Sequence, residues 1–159
     1  MFGWLRKKEV DLFRLGQDAA NGLAADLNSF MHSRFDPVFN SNLGVLRDCF
    51  ERTFNQPEAP PIVLARIEYN SFLENVEELC AKMPPDIAAA LAGWGDVYEQ
   101  LGWVEDFRRL INNRVENFMT DLAAAGHQMF IDMAGRLKVA DDQWRAEHPQ
   151  KAARFPPDM

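Results

Sequence analysis

Few residues in this chain have the types and spacing that catalysis or metal binding requires. His127 has no acidic residue three positions before it, and Glu74, Glu77 and Glu78 have no histidine in register, so the Glu-x-x-His pairs of a di-iron bundle are absent. Neither an HExxH metal motif nor a glycine-rich phosphate loop occurs. His127 has two interpretations. It is either a ligand of haem or a metal, or a histidine that lies on the helix surface or packs inside the fold, and we favour the second. We therefore predict no catalytic residue, no metal and no cofactor.

The adjacent carboxylates Asp141 and Asp142 superficially resemble an acidic pair for magnesium. Neighbouring side chains on a helix point about 100° apart, so these two do not easily share one ion. We predict instead a solvated acidic turn beside a buried Trp144.

Arg108 interrupts an apolar helical stripe between Val104 and Ile111. Burying an unpaired charge there is unfavourable by several kcal/mol. Three interpretations stay open: an ion pair with the acidic residues in 74–78, a side chain that extends to water, or a contact with an acidic partner.

The composition is typical of one folded domain that does not bind nucleic acid. At 159 residues, with 47% hydrophobic and 26% charged side chains, the chain is long enough to bury a core. The net charge of −7 argues against a nucleic-acid partner, because neutralising phosphates requires a basic face.

The cysteines and the hydropathy pattern predict a cytoplasmic protein, at most peripheral to the inner face of a membrane. Cys49 and Cys80 lie in apolar runs, as small buried thiols of a reducing compartment do, and a disulfide between them is the lesser alternative. There is no secretory signal pattern, and no apolar run reaches the ~18–20 residues of a membrane span.

The first part of the chain is predicted to form two helices separated at a proline. Apolar residues at helical spacing, beginning with Leu12, predict a helix over residues 10–33. Asp36 and Pro37 predict the cap and first turn of a second helix. The prolines of residues 55–61 predict the loop that ends it.

The middle of the chain is also divided by prolines and glycines. A third helix is predicted over residues 62–83, where Pro84 and Pro85 end it. A short helix follows, and Gly93 and Gly95 are predicted to stop it.

The last third of the chain predicts an unusually long helix. Apolar residues recur there at steps of three or four, which predicts a helix over about 96–147, either continuous or in two pieces hinged near Gly126. Residues 149–159 carry three prolines and are predicted to be extended. The predicted fold class is all-α, an irregular helical bundle of 4–5 helices that forms a single domain over residues 1–148.

Large apolar residues exceed what a core of this size needs. Twelve Phe and four Trp are many for this length, and aromatic residues dominate both cores and interface hot spots. Core packing accounts for most of them, and the remainder predicts a surface for self-association or for a partner helix. The candidate partner-binding residues of the long helix are Trp103, Phe107, Arg108, Leu110, Met129, Phe130, Met133 and Leu137.

Residues 1–9 form a short amphipathic and basic segment, which we call the tip. Its candidate binding residues are Phe2, Trp4, Leu5, Arg6, Lys7 and Lys8. Without the three basic residues the chain has 14 basic against 24 acidic side chains, a net charge of −10, so the tip is a local positive cluster. Three interpretations stay open: the apolar residues fold back onto the bundle, they contact a protein, or the tip rests on an anionic membrane.

These observations predict a non-catalytic helical protein-interaction module, such as an adaptor, assembly factor, chaperone-like escort or inhibitor. It would bind a protein partner or a second copy of itself through apolar helix faces. One alternative is a peripheral membrane protein held by the tip. Another is a helical carrier of a hydrophobic ligand or haem, although a small-molecule ligand is disfavoured.

Overall fold

The chain folds entirely into helices over the part that the structure describes. A computed structural model describes the backbone of residues 3–157 and the side chains of residues 11–157, and it holds no strand in that range. The helices are α1 (Gly3–Thr53), α2 (Pro61–Ala90), α3 (Ala92–Leu101), α4 (Val104–Glu147) and α5 (Pro149–Ala152). The prediction of an all-α bundle with a long C-terminal helix is confirmed.

Two helix ends predicted at prolines are wrong, because the helices continue through them. Pro37 lies inside α1, and Pro84 and Pro85 lie inside α2. A proline in a helix interior costs about 3 kcal/mol, because it lacks an N–H and its ring crowds the preceding turn. Met83 and Ile87 flank the two prolines of α2 and are fully buried. Packing of this face therefore holds α2 together across the prolines.

The helix break before α4 lies at a different glycine from those predicted. Gly93 and Gly95 lie inside α3, so the predicted stop there is wrong. The chain leaves α3 at Gly102, whose φ of 74° favours glycine. The N–H groups of Gly102 and Trp103 donate to carbonyls in the last turn of α3. The long C-terminal helix consequently begins at Val104 and not near residue 96.

α4 continues through Gly126 without a break. Of the two alternatives predicted for this region, the continuous helix is confirmed and the hinge near Gly126 is wrong. A Cβ at this position would lie 2.3 Å from Cε1 of Phe72, which is closer than van der Waals contact allows. Gly126 is therefore explained by the approach of an aromatic ring.

The tail after α4 is packed and partly helical, whereas residues 149–159 were predicted to be extended. Residues Pro149–Ala152 form α5. Phe155 packs edge-on against Trp144 with the ring centroids 6.2 Å apart, and Arg145 donates a hydrogen bond to the Phe155 carbonyl. The tail is thus held against the end of α4 as far as Phe155.

Asp141 is buried and paired, so the predicted solvated turn is wrong at this residue. Its carboxylate accepts hydrogen bonds from Nε of Arg145 at 2.7 Å and from the backbone N–H of Ile62 at 3.3 Å. Asp142 is exposed, and the predicted burial of Trp144 is confirmed. The local charge of Asp141 is therefore balanced by Arg145 inside the fold.

The chain divides into two compact units, and helices α1, α2 and α4 each contribute to both. Unit 1 comprises Met1–Pro37 and Lys82–Glu116, and unit 2 comprises Val38–Ala81 and Asn117–Met159. The largest fully buried apolar side chains of unit 1 are Leu23, Met83 and Ile87. Those of unit 2 are Phe50, Val76, Leu122 and Leu137. The single domain predicted over residues 1–148 stays a prediction.

Candidate functional site

Four of the candidate residues on α4 are used in packing. Phe107 is buried against Tyr98, with ring centroids 5.8 Å apart. Met133 and Leu137 are buried, and Phe130 is half-buried with its ring 5.6 Å from that of Phe50. These four side chains belong to the cores of their units rather than to a free surface.

The remaining candidates, three on α4 and Trp103 just before it, keep some exposure. Arg108 is exposed, and its guanidinium donates to Oε1 of Glu105 at 2.9 Å, which confirms the interpretation that it extends to water. Trp103 and Met129 are half-buried, and Leu110 is exposed. A role of these residues in binding stays a prediction.

The tip lies at the limit of what the structure describes. The backbone from Gly3 onward is helical and belongs to α1. Phe2, and the side chains of Trp4, Leu5 and the basic trio, lie outside the described residues.

An open apolar groove of about 510 Å³ lies in unit 1, between α1 and the start of α4; we call it the α1 groove. It is lined by Leu12, Phe13, Gly16, Gln17, Ala20, Tyr98, Trp103, Asp106, Arg109, Leu110 and Asn113. Phe13 is 68% exposed at its rim, and Leu12 and Leu110 are also exposed. This surface offers apolar contacts on both walls.

A second, smaller groove of about 290 Å³ lies between α1 and α3, and we call it the α3 groove. It is lined by Leu15, Asp18, Ala19, Trp94, Val97, Gln100 and Leu101. Leu15 and Val97 are exposed at its edges. Two apolar depressions thus adjoin the same part of α1.

Two glycines of α1 allow tryptophan rings to approach the helix backbone in unit 1. A Cβ on Gly16 would lie 2.8 Å from Cη2 of Trp103, and a Cβ on Gly22 would lie 2.3 Å from Cη2 of Trp94. The indole N–H of Trp94 donates to Asp26 at 2.6 Å, which fixes that ring. Neither contact is predictable from the sequence, because each joins residues more than seventy positions apart. The local indication is the presence of glycines inside an otherwise regular helix.

The contact between Gly22 and Trp94 can be tested with a second glycine of α1. Gly22→Ala is expected to destabilise the protein by about 1–2 kcal/mol, because the methyl group must displace the indole. Gly44→Ala meets no atom within 4 Å, so it is expected to stabilise by about 0.5–1 kcal/mol through helix propensity. Urea denaturation followed by circular dichroism measures both changes. Stabilisation by both alanines would contradict the close approach of Trp94.

The α1 groove is lined by one acidic and one basic residue, whereas the one charged residue that lines the α3 groove is acidic. Asp18 lines the α3 groove, and Asp96 and Glu99 are exposed on α3; none of the three forms an ion pair with a described residue. In the α1 groove, Arg109 is paired with Asp106 at 3.4 Å. A ligand that combines apolar with basic groups therefore suits this surface.

Tyr98 contributes a neutral side chain to the floor of the α1 groove. Burial raises the pKa of its hydroxyl, and the negative charge of Asp106 raises that pKa further. The phenol therefore stays protonated at neutral pH.

Within the described residues, no group of three or more His, Cys, Asp and Glu side chains is placed to hold a metal ion. His127 is exposed, with its ring 6.1 Å from that of Tyr69. Among the helices described, none combines the length and the apolar character needed to cross a bilayer.

Unit 1 accordingly presents two open grooves with mainly apolar linings. Comparison of the chain with protein-family models, with curated proteins and with solved structures finds no match.

Proposed function

We propose that this protein is a non-catalytic helical interaction module that binds an amphipathic helix bearing basic residues. The observation that carries the proposal is the clustering of exposed apolar side chains. Five of the nine large exposed apolar residues described line the two grooves of unit 1: Leu12, Phe13, Leu15, Val97 and Leu110. Clustered apolar exposure is typical of interaction sites, whereas single exposed apolar residues are ordinary.

A helix is the occupant that the shape and chemistry of the grooves favour. Helices bind in apolar grooves by inserting side chains spaced three or four residues apart. Phe13 and Trp103 supply the large aromatic surfaces on which such interfaces usually depend. Asp18, Asp96 and Glu99 add a negative potential that attracts a basic partner and repels an acidic one.

The two alternative functions have less support. The membrane alternative rests on the tip, and the net charge of −10 on the rest of the chain opposes contact with an anionic membrane surface. The volume of the α1 groove lies within the range of small-ligand sites, about 300–1,000 Å³, but its lining contains no histidine or cysteine that would hold haem iron. A cytoplasmic location stays a prediction.

Binding of a model helix tests the proposal. A fluorescent amphipathic peptide of leucine and lysine, about 14 residues or four turns long, is titrated into the protein and followed by anisotropy. Phe13→Ser is expected to weaken binding at least about tenfold, because a bound helix would bury this side chain. The control is Val139→Ser in unit 2, since Val139 is 69% exposed against 68% for Phe13.

Equal weakening by Phe13→Ser and Val139→Ser would contradict the proposal, because the peptide would then be held by general apolar or charge attraction. A peptide of leucine and glutamate serves as the charge control. Binding of that acidic peptide as tight as that of the basic one would contradict the role of the acidic rim.

A further inference from the structure

The tip combines apolar and basic side chains, the combination proposed above for the ligand of the grooves of unit 1. Its sequence combines Phe2, Trp4 and Leu5 with three consecutive basic residues. A helix of seven residues, the number from Phe2 to Lys8, spans about 10 Å at 1.5 Å per residue. The wall that α1 gives to the α1 groove, from Leu12 to Ala20, spans about 12 Å at the same rise. A helical tip of this length is about 2 Å shorter than the wall and can lie along most of it.

The described backbone of the tip, from Gly3 onward, belongs to the same helix that forms the groove wall. That helix is continuous from Gly3 to Thr53, so this backbone continues along its axis. A helical segment does not turn back onto the next turns of its own helix without a break. Another molecule must therefore supply the occupant.

We infer that the two grooves of unit 1 bind the tip of a second copy of this chain, an inference that rests on the proposed function. A two-fold axis makes the contact reciprocal, since each copy offers both a groove and a tip. The apolar residues of one tip pack against Phe13, Trp103 and Leu110 of the other copy.

Charge complementarity supports this pairing over other self-contacts. Arg6, Lys7 and Lys8 are the positive cluster of a chain whose other residues carry a net charge of −10. Asp18 lines the α3 groove, and Asp96 and Glu99 are exposed on α3, the helix that forms the other wall of that groove. A second copy brings the positive cluster to the negative rim, whereas most other contacts between two acidic chains bring like charges together.

Sedimentation of the full-length chain over a range of concentrations tests the inference. A reversible dimer is expected, with a dissociation constant raised at least about tenfold by Phe13→Ser and unchanged by Val139→Ser. Reversal of the tip charges (Arg6→Glu, Lys7→Glu, Lys8→Glu) is expected to raise the dissociation constant at least about tenfold, and so is reversal of the rim (Asp18→Lys, Asp96→Lys, Glu99→Lys). The protein with both reversals is expected to dimerise again. Circular dichroism checks that each variant is folded.

Several results would overturn the inference. A chain that stays monomeric but binds the leucine–lysine peptide through Phe13 would reject the second copy as occupant and leave the proposed function standing. A chain that neither dimerises nor binds the peptide would reject both the inference and the proposed function. A dimer insensitive to Phe13→Ser and to the charge reversals would place the interface elsewhere. A monomer that floats with phosphatidylserine vesicles, and loses this when the tip charges are reversed, would assign the tip to a membrane.

Discussion

Replacing Phe50 by alanine is expected to lower the free energy of unfolding by about 3–5 kcal/mol. Phe50 is 0% exposed in unit 2, and its ring lies edge-on to that of Phe130 at 5.6 Å. Truncation removes this apolar surface from the core, leaves a cavity and deletes an aromatic pair. Urea denaturation followed by far-ultraviolet circular dichroism measures the change.

Val45→Ala on the same helix is the control, because Val45 is 59% exposed. Its effect is expected to stay within about 0.5 kcal/mol, the usual size for surface positions. If Phe50→Ala and Val45→Ala lowered the free energy of unfolding by similar small amounts, the packing of Phe50 in the core of unit 2 would be contradicted.

Arg145→Ala is expected to destabilise the protein by about 3–5 kcal/mol, because it leaves the buried carboxylate of Asp141 without its cation. Only the N–H of Ile62 would remain as a described donor to that carboxylate. The carbonyl of Phe155 would also lose its hydrogen bond from the guanidinium, which loosens the tail. Thermal or urea denaturation measures the loss, and replacing the pair together (Asp141→Leu with Arg145→Met) is expected to recover most of it.

An exposed ion pair of unit 2 provides the comparison. Arg136 donates to both carboxylate oxygens of Glu51, at 3.0 and 3.2 Å, and both side chains are exposed. Arg136→Ala is therefore expected to leave stability nearly unchanged. A larger loss from Arg136→Ala than from Arg145→Ala would contradict the assignment of the buried pair as the more important one.

The pH dependence of the Arg136–Glu51 pair has a definite sign. The hydrogen bond from Arg136 lowers the pKa of the Glu51 carboxyl. A lowered pKa in the folded state means that the pair stabilises the protein above the ordinary pKa of glutamate and that this contribution is lost as the pH falls through the lowered value. Because solvent surrounds both groups, the contribution is small and decreases with salt.

Helix content could be predicted from the sequence, but the helix ends often could not. The repeat of apolar residues predicts the long α4, as found, whereas Leu137, a candidate partner-binding residue, is buried. Local chemistry alone predicts that helices end at the prolines. At Pro84 and Pro85 that chemistry is outweighed by burial of the flanking side chains, which depends on tertiary packing.

Only one wall of the α1 groove was predictable from the sequence, because the other wall also depends on tertiary packing. Trp103 and Leu110 stood out by type and spacing on one helix, and both line the α1 groove. The opposite wall did not stand out, because the role of Gly16 depends on a ring that comes from residue 103. The sequence likewise predicts a solvated Asp141, because the N–H of Ile62 that donates to its carboxylate is distant in sequence.

Photo-crosslinking from the groove rim tests the central claim, that unit 1 binds an amphipathic basic helix, most directly. The chain is made with p-benzoylphenylalanine in place of Phe13 or, as a control, in place of the equally exposed Val139. We expect light to crosslink the leucine–lysine peptide to the chain substituted at position 13 and to leave the chain substituted at position 139 largely unlabelled. Equal labelling at both positions, or labelling at position 139 alone, would contradict it.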